Sequence, residues 1–162
     1  MMAEETIYDM LCRSVKQYGP RRALGWKEGG QYHYLTYAEL GERVRRFRGG
    51  LAALGVKKGD RIALLSYNCM EWAIADLSAQ SIGVITVPIY HTLPTPQVEH
   101  IVRDSAARIL LVENEKQLTK AQELRPRVDT LEHVVLMRGK APEGVLSFEE
   151  VMAFGEESPL QE

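Results

Sequence analysis

Cysteine is almost missing from this 162-residue chain. Only Cys12 and Cys69 occur, far apart and without a Cys-x-x-Cys spacing, which argues against a disulfide scaffold or a thiolate metal knuckle. They read as free thiols of a reducing compartment. Histidine gives no metal signal either, because His33, His91, His100 and His133 fall outside zinc-ligand spacings. A charge excess is lacking: 20 Lys+Arg against 22 Asp+Glu leave a net charge of −2. That removes any global attraction to nucleic acid or to an anionic bilayer. The first residues, Met-Met-Ala-Glu-Glu, have neither the basic nor the apolar region of a signal peptide. The longest uncharged run, Leu77 to Val98, has the length to span a bilayer, but Pro88, Pro94 and Pro96 interrupt it along with Gln80, His91 and Gln97. The expectation is one soluble, cytoplasmic domain of ordinary globular composition.

Two kinds of catalytic loop are missing as well. No Gly-x-Gly-x-x-Gly follows a buried strand, and no Gly-x-x-x-x-Gly-Lys-Ser/Thr occurs anywhere. Without such a loop the backbone amides have no evident way to cradle a phosphate. No Gly-x-Ser-x-Gly elbow is present, so Ser66 reads as a turn hydroxyl rather than a nucleophile.

What is present is a regular alternation. Arg61 to Leu65 is a short apolar run, Met70 to Ile82 a helical segment with few polar residues, and Val84 to Tyr90 a second apolar run. That order is a βαβ unit, with parallel strands and a helix buried on most sides. Trp72 in that helix reads as a core aromatic, with a place in a ligand-pocket wall as its rival reading, and Asn68 as the helix N-cap. Upstream, Ile7, Met10, Leu11, Val15 and Tyr18 mark one face of a helix that Gly19-Pro20 closes. Two β-rich runs around Gly29-Gly30 read as a hairpin. Thr36 and Glu39 form a capping box ahead of a helix with Leu40, Val44, Phe47, Leu51 and Leu54 on its apolar stripe. Arg43, Arg45, Arg46 and Arg48 read as its solvated face, and Gly55 suits the left-handed position past its end. Gly49-Gly50 inside this helix costs about 1 kcal/mol each relative to alanine, which predicts either a close packing contact or a weakened helix.

Downstream, Gln97 to Ala106 predicts a helix capped by Thr92 or Thr95, and Arg108 to Val112 a buried strand. Glu115 to Arg125 reads as a helix, His133 to Met137 as a strand, and Ser147 to Phe154 as a short helix with Glu150 at the capping-box position. Residues 155–162 read as a linker or cut end. The fold class is therefore α/β, a layered and mostly parallel sheet flanked by helices, with a small N-terminal β-hairpin, in one domain over residues 1–162. In such sheets ligands bind beyond the carboxyl ends of the strands. The polar rim there holds Ser66-Tyr67-Asn68, Tyr90-His91-Thr92, Glu113-Asn114 and Arg138-Gly139, from which Asn68, Tyr90, His91 and Thr92 are the substrate-binding candidates.

A set of segments in fixed order carries a resemblance. Leu-Thr-Tyr-Ala-Glu-Leu (35–40), Leu-Gly-Val-Lys-Lys-Gly-Asp-Arg-Ile-Ala (54–63), Asn-Cys-Met-Glu-Trp-Ala-Ile-Ala-Asp-Leu (68–77) and Gly-Val-Ile-Thr-Val-Pro-Ile-Tyr (83–90) come first. Val-Glu-His-Ile-Val-Arg-Asp-Ser (98–105) and Ala-Arg-Ile-Leu-Leu-Val-Glu (107–113) follow. Together they resemble the N-terminal subdomain of the adenylate-forming enzymes, specifically the long-chain fatty acyl-CoA synthetases. The resemblance implies a parent enzyme that uses ATP and Mg²⁺ to make an acyl-adenylate from a fatty acid and then passes the acyl group to CoA. It also implies that the phosphate loop and the catalytic residues lie downstream, so none is assigned in this chain and no cofactor is expected to bind it alone. The partners implied are the remainder of the ligase, a fatty acid, a peripheral membrane surface for the parent, and self-association of this piece; nucleic acid is not among them. The family usually has proline after Ile-Tyr, where this chain has His91. The alternatives are a ligase for a shorter or aromatic acid, and a non-catalytic α/β interaction module.

Overall fold

The computed structural model describes residues 5–157. The first four residues of the acidic N-terminus, and positions 158–162 of the expected linker, lie outside the described residues. Helix α1 (Ile7–Tyr18) starts at a capping box between Thr6 and Asp9. Strands β1 (Arg22–Glu28) and β2 (Gln31–Thr36) form an antiparallel hairpin. Its turn places Gly29 and Gly30 at φ of 57° and 82°, the left-handed pair a tight hairpin requires. Helix α2 (Tyr37–Ala53) carries the expected Thr36–Glu39 capping box. After it come β3 (Arg61–Leu65), α3 (Met70–Ser81), β4 (Ile85–Ile89), α4 (Thr95–Asp104), β5 (Ile109–Val112), α5 (Glu115–Leu124), β6 (His133–Leu136), β7 (Leu146–Ser147) and α6 (Phe148–Glu157).

Strands β4-β3-β5-β6-β7 form one sheet in that spatial order, every pair parallel. Alternate residues of each strand feed opposite faces, as the period of two demands. Ile62, Leu64, Ile109, Leu111, Val135 and Met137 meet the layer of α1, α2, α3 and α6. Ala63, Leu65, Leu110, Val112, Val134 and Leu136 meet α4 and α5. Both faces are covered, which is why the strands read as continuous apolar runs rather than alternating ones.

Several local expectations need correction. The last helix does not stop at Phe154 but runs to Glu157, so residues 155–157 are helix rather than linker. The reason is packing. A Cβ on Gly155 would collide with the Arg46 carbonyl oxygen, one on Gly50 with the Val151 carbonyl, and one on Gly49 would lie 2.8 Å from Gly155 Cα. Three glycines thus let α2 and α6 touch backbone to backbone, and the close-contact reading of Gly49-Gly50 holds. The two-residue strand β7 escaped the sequence because so short a run has no periodicity. The arginines of α2 are only in part a solvated face: Arg45 pairs with Glu42 at the surface, but Arg48 is buried with Nη1 donating to the Tyr8 hydroxyl at 2.7 Å, and Arg46 reaches Glu156 on α6 at 2.8 Å. Neither Thr92 nor Thr95 caps α4. Its N-cap is Pro94, while the Thr95 hydroxyl donates to Glu123 at 2.9 Å.

The N-terminal edge of the sheet is stapled by Arg108. Its guanidinium meets Glu132 at 2.8 and 2.7 Å, Asp60, and the Gly55 carbonyl at 2.7 Å, so the entries to β3, β5 and β6 share one cation. The Lys57 backbone N–H, and after it Arg108, hold the Asp60 carboxyl below the usual range; Arg108 does the same for Glu132. Carboxyls depressed in the folded state contribute stability that is present above their unfolded values, near pH 4, and lost as pH falls through the folded values. Arg108→Met is therefore expected to destabilise the chain at about pH 7, with the gap to the native chain closing as pH falls below the unfolded carboxyl range of about 4. Urea melts across that range check it; a gap independent of pH would count against the staple.

Candidate functional site

The strand order creates a switch point. From β3 the chain crosses through α3 to β4 on one side, and from β5 it crosses through α5 to β6 on the other. The crevice where such connections diverge, beyond the carboxyl ends of β3 and β5, is where open α/β sheets bind ligands. Three loops converge there. The Tyr67 N–H donates to Glu113 Oε2 at 3.1 Å, tying the end of β3 to the end of β5. The Tyr67 and His91 rings stack with centroids 3.4 Å apart and planes 29° apart, tying the loop after β4 to both. The His91 and Leu93 carbonyls accept from Lys120 Nζ at 2.8 and 2.7 Å. Tyr67 and Tyr90 remain 59% and 79% exposed, large aromatic surfaces at the mouth of the crevice.

One ion pair braces the same edge. Glu71, in the first turn of α3 and buried, takes two bonds from Arg138 just past β6, at 3.1 and 2.9 Å. The first-turn carboxylate also opposes the positive end of the helix, which has no side-chain cap bond of its own. Beside it runs a groove of about 430 Å³ between the hairpin and α3, lined by Leu24, Trp26, Asn68, Met70 and Trp72 among others. Cys69 belongs to this wall; its burial, above all, pushes the thiol pKa up, which keeps it protonated and inert near neutrality.

The four candidate residues divide. His91 is drawn into the loop junction by its stack on Tyr67, and Tyr90 stands at the rim. Thr92 is exposed in the turn between them and α4. Asn68 is not the cap of α3, because Cys69 occupies the N-cap position; Asn68 is exposed one residue earlier and lines the groove. Trp72 is half-buried in that groove wall rather than enclosed in the core. Lys120, and Glu71 as the partner of the rim residue Arg138, were not evident as site elements, since each partner lies far away in the sequence and only the topology brings them together.

The comparisons bear on this edge. Residues 11–160 match the family described as AMP-binding enzyme. The chain belongs to that family. It is similar to a long-chain-fatty-acid–CoA ligase of Thermus thermophilus, 34% identical over 159 residues, covering 98% of this chain and 29% of the ligase. It is also 29% identical over 157 residues to the long-chain-fatty-acid–CoA ligase ACSBG2 of Xenopus laevis, covering 95% of this chain and 21% of that protein. Among solved structures, the anthranilate CoA ligase AuaEII in complex with anthranoyl-AMP superimposes with a TM-score of 0.85 at 27% identity, over 95% of this chain and 28% of that one. The chain thus spans less than a third of the length of these relatives. The family and the layered adenylate-forming fold are as the motif order implied.

Proposed function

We propose that this AMP-binding family member forms the N-terminal α/β part of a long-chain fatty acid–CoA ligase and is inactive by itself. The observation that carries the reading is the 34% identity to the Thermus thermophilus ligase across 98% of this chain. The parent reaction joins a fatty acid to ATP as an acyl-adenylate with release of diphosphate, after which the CoA thiol displaces AMP. The residues of the rim do not fit a triphosphate. The Tyr67 amide at the end of β3 is already taken by the Glu113 carboxylate, so the position presents negative charge instead of a free donor. ATP and Mg²⁺ are assigned to the remainder of the ligase. What this part supplies is a scaffold and a rim. Tyr67, Tyr90, His91 and Thr92 line the acyl or CoA side of the crevice, with Asn68 beside them at the groove.

The likeness to an anthranilate CoA ligase supports one rival, a ligase for an aromatic acid. Exchange of labelled diphosphate into ATP separates the readings. The 162-residue chain should give no exchange with palmitate or with anthranilate. The same chain continued through its downstream reading frame should exchange with palmitate. Turnover by the short chain sinks the inactive-part reading, and exchange of the long form with anthranilate alone favours the rival.

A further inference from the structure

We propose that Lys120 is a positioning residue: an α5 latch that holds the loop between β4 and α4 so that His91 lies on Tyr67. The loop from Tyr90 to Pro94 has little holding of its own. Within it the Leu93 N–H donates to the Tyr90 carbonyl at 3.1 Å, and Tyr90 itself is 79% exposed. The carbonyls of His91 and Leu93 both turn to one ammonium, at 2.8 and 2.7 Å. These are short, charge-assisted bonds, and a lysine has three donors to share among acceptors. Lys120 is half-buried, and its burial first, then the nearby Lys116, lower its pKa; both carbonyl oxygens stand where a counter-ion otherwise would. One turn further along α5, Glu123 takes the Thr95 hydroxyl at 2.9 Å, so the same helix face grips the loop at its far end as well.

The consequence reaches the switch point. With its carbonyl fixed by Lys120, His91 has its ring set against Tyr67, whose N–H is in turn held by Glu113 beyond β5. Lys120, on a helix of the opposite layer from α3, thereby sets the separation of the loops after β3 and β4. The importance of that separation for ligation rests on the function proposed above. The latch itself is readable in the 162-residue chain with no substrate present, so either idea can fail without the other.

The test is the magnetic resonance spectrum of His91 in Lys120→Met, a substitution that keeps the apolar stem and removes the ammonium. In the native chain the Tyr67 ring shields the His91 ring protons, and Tyr67→Leu gives their unshielded position. In Lys120→Met these protons should move to the Tyr67→Leu position. The Leu93 amide should exchange about tenfold faster or more, the least that losing a bond to a charged group allows, while the Leu64 amide of the central strand is unchanged. Lys120→Arg, which offers two N–H donors to the same carbonyls, should restore the native shifts. Native His91 shifts in Lys120→Met overturn the latch. If that variant fails to fold, a folded Lys120→Arg with unshielded His91 overturns it, and one with shielded His91 supports it.

Discussion

Gly50→Ala is expected to destabilise the chain by about 2 kcal/mol, although the same change at an exposed helical site would stabilise it. Replacing glycine inside a helix gains about 1 kcal/mol of helix propensity. At this site the new methyl group meets the carbonyl carbon and oxygen of Val151 on α6. The obstacle is backbone, so no rotamer change relieves it, and helices α2 and α6 must move apart. Overpacking of this kind costs about 3 kcal/mol. The movement is also shared, because Gly155 on α6 abuts the Arg46 carbonyl and Gly49 abuts Gly155. Two glycines on one helix and one on the other form a single contact, and opening it at Gly50 opens all three. Urea denaturation of Gly50→Ala checks this, with the slope held constant as evidence that the unfolded state is unchanged. A more stable variant would mean that α2 and α6 do not meet backbone to backbone at Gly50.

Much of this interface and of the sheet was legible in the sequence, and the reasons differ by residue. Thr36 and Glu39 announce α2, and Ser147 and Glu150 announce α6, because a capping box is a local device whose partners are three residues apart. Buried parallel strands are equally plain, since both faces need apolar residues and leave an unbroken run such as Ile109 to Val112. Gly49-Gly50 left a close contact and a weakened helix both open and named no partner; Val151 and Gly155 lie a hundred residues downstream, one inside the expected short helix and one in the stretch that composition alone marks as linker. Asn68 was misplaced as a cap because asparagine and the residue after it both precede the apolar run, and sequence does not fix a boundary to one residue. At the candidate site, the rim residues followed from the rule that ligands bind at the strands' carboxyl ends. The bonds that order the rim did not follow. Lys120 to the His91 carbonyl, Tyr67 to Glu113, and Arg138 to Glu71 join residues 29, 46 and 67 positions apart. Which loops lie side by side depends on the strand order β4-β3-β5, and no residue spacing encodes that.

Phe47→Ala should be the most damaging single truncation in the helical layer, lowering stability by about 3–5 kcal/mol. Phe47 is fully buried on α2 and stacks on Phe148, also almost wholly buried, with ring centroids 4.3 Å apart. The removed ring leaves a cavity bounded by α2, α6 and the sheet, and the glycine contact beside it keeps these helices from closing in. Trp72, although larger, cannot match this, since it is half-buried at an open groove where water replaces part of the lost side chain. The pair also predicts a coupling. Phe47→Leu and Phe148→Leu in a double-mutant cycle should fall short of additivity by about 0.5–1.5 kcal/mol, the geometric part of a stacked aromatic contact. Additive losses would show that each ring is held by the aliphatic core and not by the other. A small loss for Phe47→Ala, joined to a stabilised Gly50→Ala, would remove α6 from the folded unit altogether. Either result alone would not, because the ring reads the cavity and the glycine reads the backbone approach.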